Sequence, residues 1–132
     1  MNTILPTNQP LTLGLTESAH PHLKRLKEDG HFAEMADAYR FGVALALARG
    51  VIPEEIAGVR RTIFNTQTID PDREIFTAVK TILGGDDIQI YSKVERLAEW
   101  GVLELARQSE PGEIDFVTLL NEAVNLASEG GE

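Results

Sequence analysis

Apolar positions in this chain recur first at every second residue and then at every third or fourth. Leu11, Leu13 and Leu15 alternate with Thr12 and Gly14, which sets the three leucines on one face of a short strand. Two helical patterns follow, over residues 16–29 and 33–49. Thr16 is placed to cap the first, with Glu17 in its opening turn, and Pro21 moves the start of regular helix toward His20. Ala19, Leu23 and Leu26 make its apolar stripe, Lys24, Arg25 and Lys27 point elsewhere, and Gly30 stops it. The second helix begins amphipathic, with Glu34, Asp37 and Arg40 on a polar side. Over 41–48 it is apolar all round, which predicts burial on every side, and Gly42, Ala44, Ala46 and Ala48 are small enough to admit another backbone. Gly50 ends it, and Pro53 prevents its resumption without a break.

One strand and two helices cannot cover their own apolar surface, and a lone strand leaves its hydrogen-bonding groups open. The economical solution is a second copy of the chain, paired strand to strand across a two-fold axis. That arrangement is a ribbon-helix-helix-like element, with Leu11, Leu13, Leu15, Phe41 and Leu45 as its expected oligomer interface.

The rest of the chain reads as further helices. Residues 54–69 are the least regular, with room for a short helix after Pro53 and an extended piece within 62–69. A clear helix start follows, with Asp70 as N-cap, Pro71 at the first helical position and Asp72 and Glu74 in the first turn. Ile75, Phe76, Val79, Ile82 and Leu83 recur at helical spacing, and residues 84–87 form the turn after them. A helix over 91–107 points Val94, Leu97, Ala98, Val102 and Leu105 inward, and the only tryptophan, Trp100, stands beside Gly101, which suggests close packing against a neighbour. Pro111-Gly112 links to a last helix over 113–127, with Val117, Leu120, Val124 and Ala127 on one face, and to a frayed tail over 128–132. The expected fold is mainly α, a short N-terminal strand plus about five helices in a single domain over 1–132. Residues 1–50 would form the dimerisation element and 51–132 an acidic helical part.

Length and composition agree with one ordinary globular domain: 132 residues, 42% of them hydrophobic. No cysteine is present, which excludes disulfides and thiolate metal sites. The first ten residues hold no basic residue and only a short apolar pair, Ile4-Leu5, and the longest strongly apolar run, 41–48, is far below membrane-spanning length. These features predict a cytoplasmic protein without membrane contact. Charge changes the picture more. Residues 1–62 hold seven basic and seven acidic residues, whereas 63–132 hold five basic and fourteen acidic ones and carry the whole net charge of -9. A negative field repels phosphate backbones, so nucleic-acid contact is confined to the N-terminal part.

Candidate chemistry is sparse. His20, His22 and His31 are the only histidines, and residues two apart on a helix face different ways, which is poor metal-ligand spacing. Asp86-Asp87 lacks the alternating acids of a calcium loop, and the acids of 70–74 fit helix capping. Gly84-Gly85 is not followed by the Lys-Ser/Thr of a phosphate loop. The expectation is no metal, no cofactor, no catalytic residue and no enzymatic activity. Two basic clusters remain, Lys24-Arg25-x-Lys27 and Arg60-Arg61, as DNA contacts on a two-fold dimer. The outward face of the strand, Thr12, Gly14 and Thr16, offers few base-specific bonds, so direct DNA recognition is the runner-up.

The segments Leu13-Gly-Leu-Thr-Glu-Ser-Ala and Leu23-Lys-Arg-Leu-Lys resemble the opening of the small DndE-type subunit of bacterial DNA phosphorothioation (Dnd) systems. The run from Phe32-Ala-Glu-Met through Phe41-Gly-Val-Ala-Leu-Ala-Leu, with Ile63-Phe64 and Val94-Glu-Arg-Leu-Ala-Glu-Trp-Gly-Val-Leu-Glu-Leu, resembles Dnd-associated proteins. These are packing patterns rather than catalytic motifs. The resemblance implies a helical oligomer tied to DNA through basic surface residues, and only Lys24, Arg25 and Lys27 correspond here. The function expected from it is a non-catalytic oligomeric accessory or scaffold protein, a homodimer or tetramer. It would be linked to DNA phosphorothioation or restriction and act on protein partners. The alternative is a ribbon-helix-helix-type DNA-binding protein.

Overall fold

The computed structural model describes residues 12–56, 58–119 and 121. In chain order these form β1 (Thr12–Thr16), α1 (His20–Glu28), α2 (Met35–Ala48), β2 (Arg60–Asn65), α3 (Thr66–Ile69), α4 (Glu74–Leu83) and α5 (Asp87–Ser109), and a helical turn begins at Phe116. The fold is mainly α with a short N-terminal strand, as the periodicity predicts. Among the described residues no helix is long and apolar enough to cross a membrane.

The core is built around α2 and α5, which pack on each other more extensively than any other two helices. Their crossing is set by two glycines. A Cβ at Gly101 would lie 2.0 Å from the carbonyl oxygen of Gly42, and one at Gly42 would lie 3.1 Å from the amide nitrogen of Val102. The helices therefore meet backbone against backbone, and the neighbour that the small residues of α2 admit is α5 of the same chain. Val94, Leu97, Ala98, Val102 and Leu105 all point inward, as their spacing predicts, and bury against Tyr39, Val43 and Ala46 of α2. Phe32, Phe41 and Phe116 meet with centroids 5.4 to 5.7 Å apart. Edge-to-face and tilted contacts of this kind add to the area they bury.

The strand pairing corrects the sequence expectation. β1 finds its partner within its own chain, running antiparallel to β2 with Leu13 opposite Phe64, Leu15 opposite Arg61 and Thr16 opposite Arg60. The register slips between Leu13 and Gly14, where Ile63 is an extra residue on β2, a β-bulge. Gly14 is needed there because a Cβ would lie 1.9 Å from the carbonyl oxygen of Arg61. Of the residues expected at an oligomer interface, Leu13, Leu15 and Leu45 are buried inside one chain, and Phe41 packs on Phe32 and Phe116. Leu11 lies outside the described residues.

Three smaller expectations are also revised. α2 is not buried all round: Ala44 is exposed, with Leu47 and Ala48 half-buried. Asp70 caps α4 from further upstream than expected, because Pro71, Asp72 and Arg73 make an intervening turn and Arg73 takes a left-handed φ of 58°. The Asp70 carboxylate still accepts the amides of Ile75 and Phe76, each at 2.9 Å, and the Tyr91 hydroxyl at 2.9 Å. In the expected last helix Val117 points to solvent while Ile114 and Leu119 are buried, and the part beyond 121 lies outside the described residues.

Candidate functional site

In an antiparallel pair, alternate residues turn their backbone groups toward and away from the partner strand. On β1 the groups of Gly14 and Thr16 face away from β2, and α5 covers them with two glutamates one helical turn apart. The Gly14 amide donates to Glu95 Oε2 at 2.9 Å, and the Thr16 amide donates to Glu99 Oε1 at 3.1 Å. The Thr16 hydroxyl donates to Glu99 Oε2 at 2.7 Å, and the Tyr39 hydroxyl donates to the Gly14 carbonyl at 2.9 Å. The edge that a ribbon-helix-helix would offer to a second strand is thus occupied by side chains. Gly14 and Thr16, two of the three residues expected to face DNA, are buried.

Glu95 is buried, and its charge is met by Arg60, which reaches from β2 to donate through Nε at 2.7 Å and through Nη2. The same Nη2 donates to the Thr12 carbonyl at 3.2 Å. Arg60, expected as a phosphate contact, is therefore a strut of the fold. Among the other expected DNA contacts, Arg61 pairs with Glu17 at 3.4 Å and Lys27 with Glu34 at 3.5 Å, both on the surface, where such pairs contribute little. Lys24 and Arg25 are exposed on α1. Asp87 pairs with Lys80 across the turn between α4 and α5. Among the described residues no three His, Asp or Glu side chains gather as a metal site.

The electrostatics around the strand follow from burial. Burial pushes the Tyr39 phenol well above its ordinary 10.0, and the neighbouring Glu95 carboxylate pushes it further. Burial, then the hydrogen bond to Asp70, raises Tyr91 to about 12. These are the only two tyrosines of the chain. A raised phenol contributes stability that is whole below about pH 10 and lost as the pH climbs through the folded value. Spectrophotometric titration is therefore expected to show little tyrosinate in the native protein at pH 10 to 11, where a denatured sample is half or more ionised. Native ionisation with a midpoint near 10 would contradict the burial of both rings.

A second feature lies on the opposite side of Glu99. A cleft of about 560 Å³ opens between α5 and the segment after α2, lined by Val51, Ile52, Pro53, Glu54, Arg96, Glu99, Trp100 and Leu103. Ile52 is 71% and Leu103 40% exposed, so large apolar side chains stand at its rim. The back of Trp100 is steadied by Arg49, whose guanidinium lies 6.0 Å from the ring centroid and bonds to Glu104 at 3.1 Å. Hydrogen bonds from Arg107, Gln108 and Arg49 hold the Glu104 carboxyl down at about 2, against the opposing effect of burial, so this support stays charged in neutral solution. Arg96 is half-buried, and no hydrogen bond or ion pair engages it among the described residues. Sequence inspection missed this cleft because its walls come from two segments some forty residues apart. The available signal was the pairing of Trp100 with Arg96, one turn apart on a helix whose opposite face is the core.

No protein-family model, curated protein or solved structure matches the chain.

Proposed function

We propose that the protein is a non-catalytic accessory or scaffold subunit linked to DNA phosphorothioation or restriction, acting through protein–protein contacts. The observation that carries this reading is the cleft, where a supported tryptophan, exposed Ile52 and Leu103 and an unengaged arginine stand together. Aromatic and arginine side chains set among aliphatic ones are the composition of binding hot spots. The link to DNA modification comes from the segment resemblances.

Self-association, as a homodimer or tetramer, belongs to the same proposal. Its support moves from β1 to the face shared by α2 and α4, where Ala44 is exposed, Leu47, Ile75 and Ala78 line a shallow groove, and Ile82 is 59% exposed. The competing reading, DNA binding through the N-terminal basic residues, keeps Lys24 and Arg25 as its uncommitted exposed contacts once Arg60 is spent on Glu95. Deletion of the gene is expected to reduce phosphorothioation or restriction in the host, and Trp100→Ala to reproduce that loss while the purified variant stays folded. The purified protein should leave duplex DNA unshifted at low salt. Unchanged modification and restriction after deletion would sink the proposal, and a DNA shift abolished by Lys24→Glu with Arg25→Glu would favour the competitor.

A further inference from the structure

The cleft continues along α5. A second depression, lined by Ile88, Gln89, Ser92, Lys93 and Arg96, shares Arg96 with the first. Together they form one trough from Ile88 to Leu103, about 22 Å long at the helical rise of 1.5 Å per residue. Its two ends are apolar: Ile88, 45% exposed, at one end, and Trp100, Leu103 and Ile52 at the other. Arg96 stands between them.

The charge of the trough is specific. Lys93 is drawn to the carbonyl of Gly84 at 2.8 Å, and Glu99 spends both carboxylate oxygens on Thr16. Glu54 borders the far rim, and Arg96 is the charge in the middle that nothing described neutralises. A half-buried guanidinium standing between two apolar ends gains most from a carboxylate, which it can hold by two parallel hydrogen bonds.

We infer that this trough receives an amphipathic helix of a protein partner, laid along α5, with an acidic residue on Arg96 and apolar anchors on either side. The spacing of the lining residues fixes the pattern. Arg96 lies one turn from Trp100 and two turns from Ile88, so the acid of the partner lies about one turn from one anchor and two turns from the other. The inference rests on the accessory-subunit reading above and names the chemistry of its partner.

The test uses the full chain and a synthetic helical peptide with two leucines and a glutamate at that spacing, beside the same peptide carrying lysine in place of glutamate. Trp100 is the only tryptophan, so its emission reports the trough directly. The glutamate peptide is expected to shift that emission to the blue and to bind at least tenfold more tightly than the lysine peptide. Arg96→Glu, a substitution outside the core, should reverse the preference while leaving the circular-dichroism melt unchanged. Should the variant melt early, Arg96→Gln supplies the same comparison, with both peptides then binding alike. Equal binding of the two peptides to the native protein, or no change in emission with either, overturns the inference. So does an emission shift with protein concentration alone, since a second copy would then occupy the trough. Failure here leaves the accessory-subunit reading intact, because that reading is judged by the deletion phenotype.

Discussion

Gly101→Ala is expected to cost about 3 kcal/mol or more of unfolding free energy, measured by urea denaturation followed through circular dichroism. The added methyl group would lie 2.0 Å from the carbonyl oxygen of Gly42, 2.3 Å from its carbonyl carbon and 2.4 Å from its Cα. None of these atoms belongs to a side chain, so no rotamer change relieves the clash. The helices must separate, and that opens gaps along the largest helix pair of the core, where each lost methylene contact carries its own cost. Helix propensity works in the opposite direction, since alanine in place of glycine favours an isolated helix by about 1 kcal/mol. The overlap outweighs that gain because it is backbone on backbone. Gly42→Ala is expected to cost less, its nearest approach being 3.1 Å. A variant at Gly101 as stable as the parent would show that the crossing is looser than described.

Glu95→Ala should be the second most damaging single change, at about 3 kcal/mol. It removes the acceptor of the Gly14 amide and the counter-charge of Arg60 at once. An unsatisfied buried amide costs about 1–3 kcal/mol, and an orphaned charge costs more when it is dry. The Arg60 side chain keeps 40% of its surface in solvent, so water takes over part of its solvation and the total stays near the lower bound. Glu95→Ala combined with Arg60→Met should be less damaging than the sum of the two single changes, because the second substitution removes the orphan left by the first. Strict additivity in that cycle would mean that the two residues do not act as a pair.

The contrast between these sites shows how much a sequence reader could see. Periodicity placed α2, α4 and α5 because their inward residues repeat at helical spacing, and the small residues at 42 and 101 announced a close approach without naming the partner. β2 was legible only in part, as an extended piece within 62–69, and for a physical reason. Arg60-Arg61-Thr62-Ile63-Phe64-Asn65 has no alternation to detect, since its first three residues are exposed and a bulge shifts the rest. With that piece not matched to β1, the strand had no partner in its own chain, and a second copy was the economical way to satisfy it. The glutamates that close its other edge left a fainter mark. Glu95 falls between Val94 and Leu97, inside the inward run of α5, where an acid is costly unless something buried needs it. Such a misplaced carboxylate is the kind of signal that names a partner-seeking backbone or cation elsewhere in the chain. The trough was hidden differently, because Trp100 both packs against the core and lines the cleft, and its position in the sequence announces only the first.

The bond between Gly14 and Glu95 spans 81 residues of sequence, and that between Thr16 and Glu99 spans 83. During synthesis β1 leaves the ribosome long before the helix that closes its edge. At 5–20 residues per second the interval is roughly 4–16 s. Throughout that time the leucine-bearing strand has β2 at best for company, and its other edge is open to any nascent chain nearby. The arrival of α5 ends this exposure in one step, supplying both carboxylates and the glycine crossing together. For this protein the hazardous period is set by translation speed between β1 and α5, so slowing that stretch should raise aggregation without altering the finished molecule.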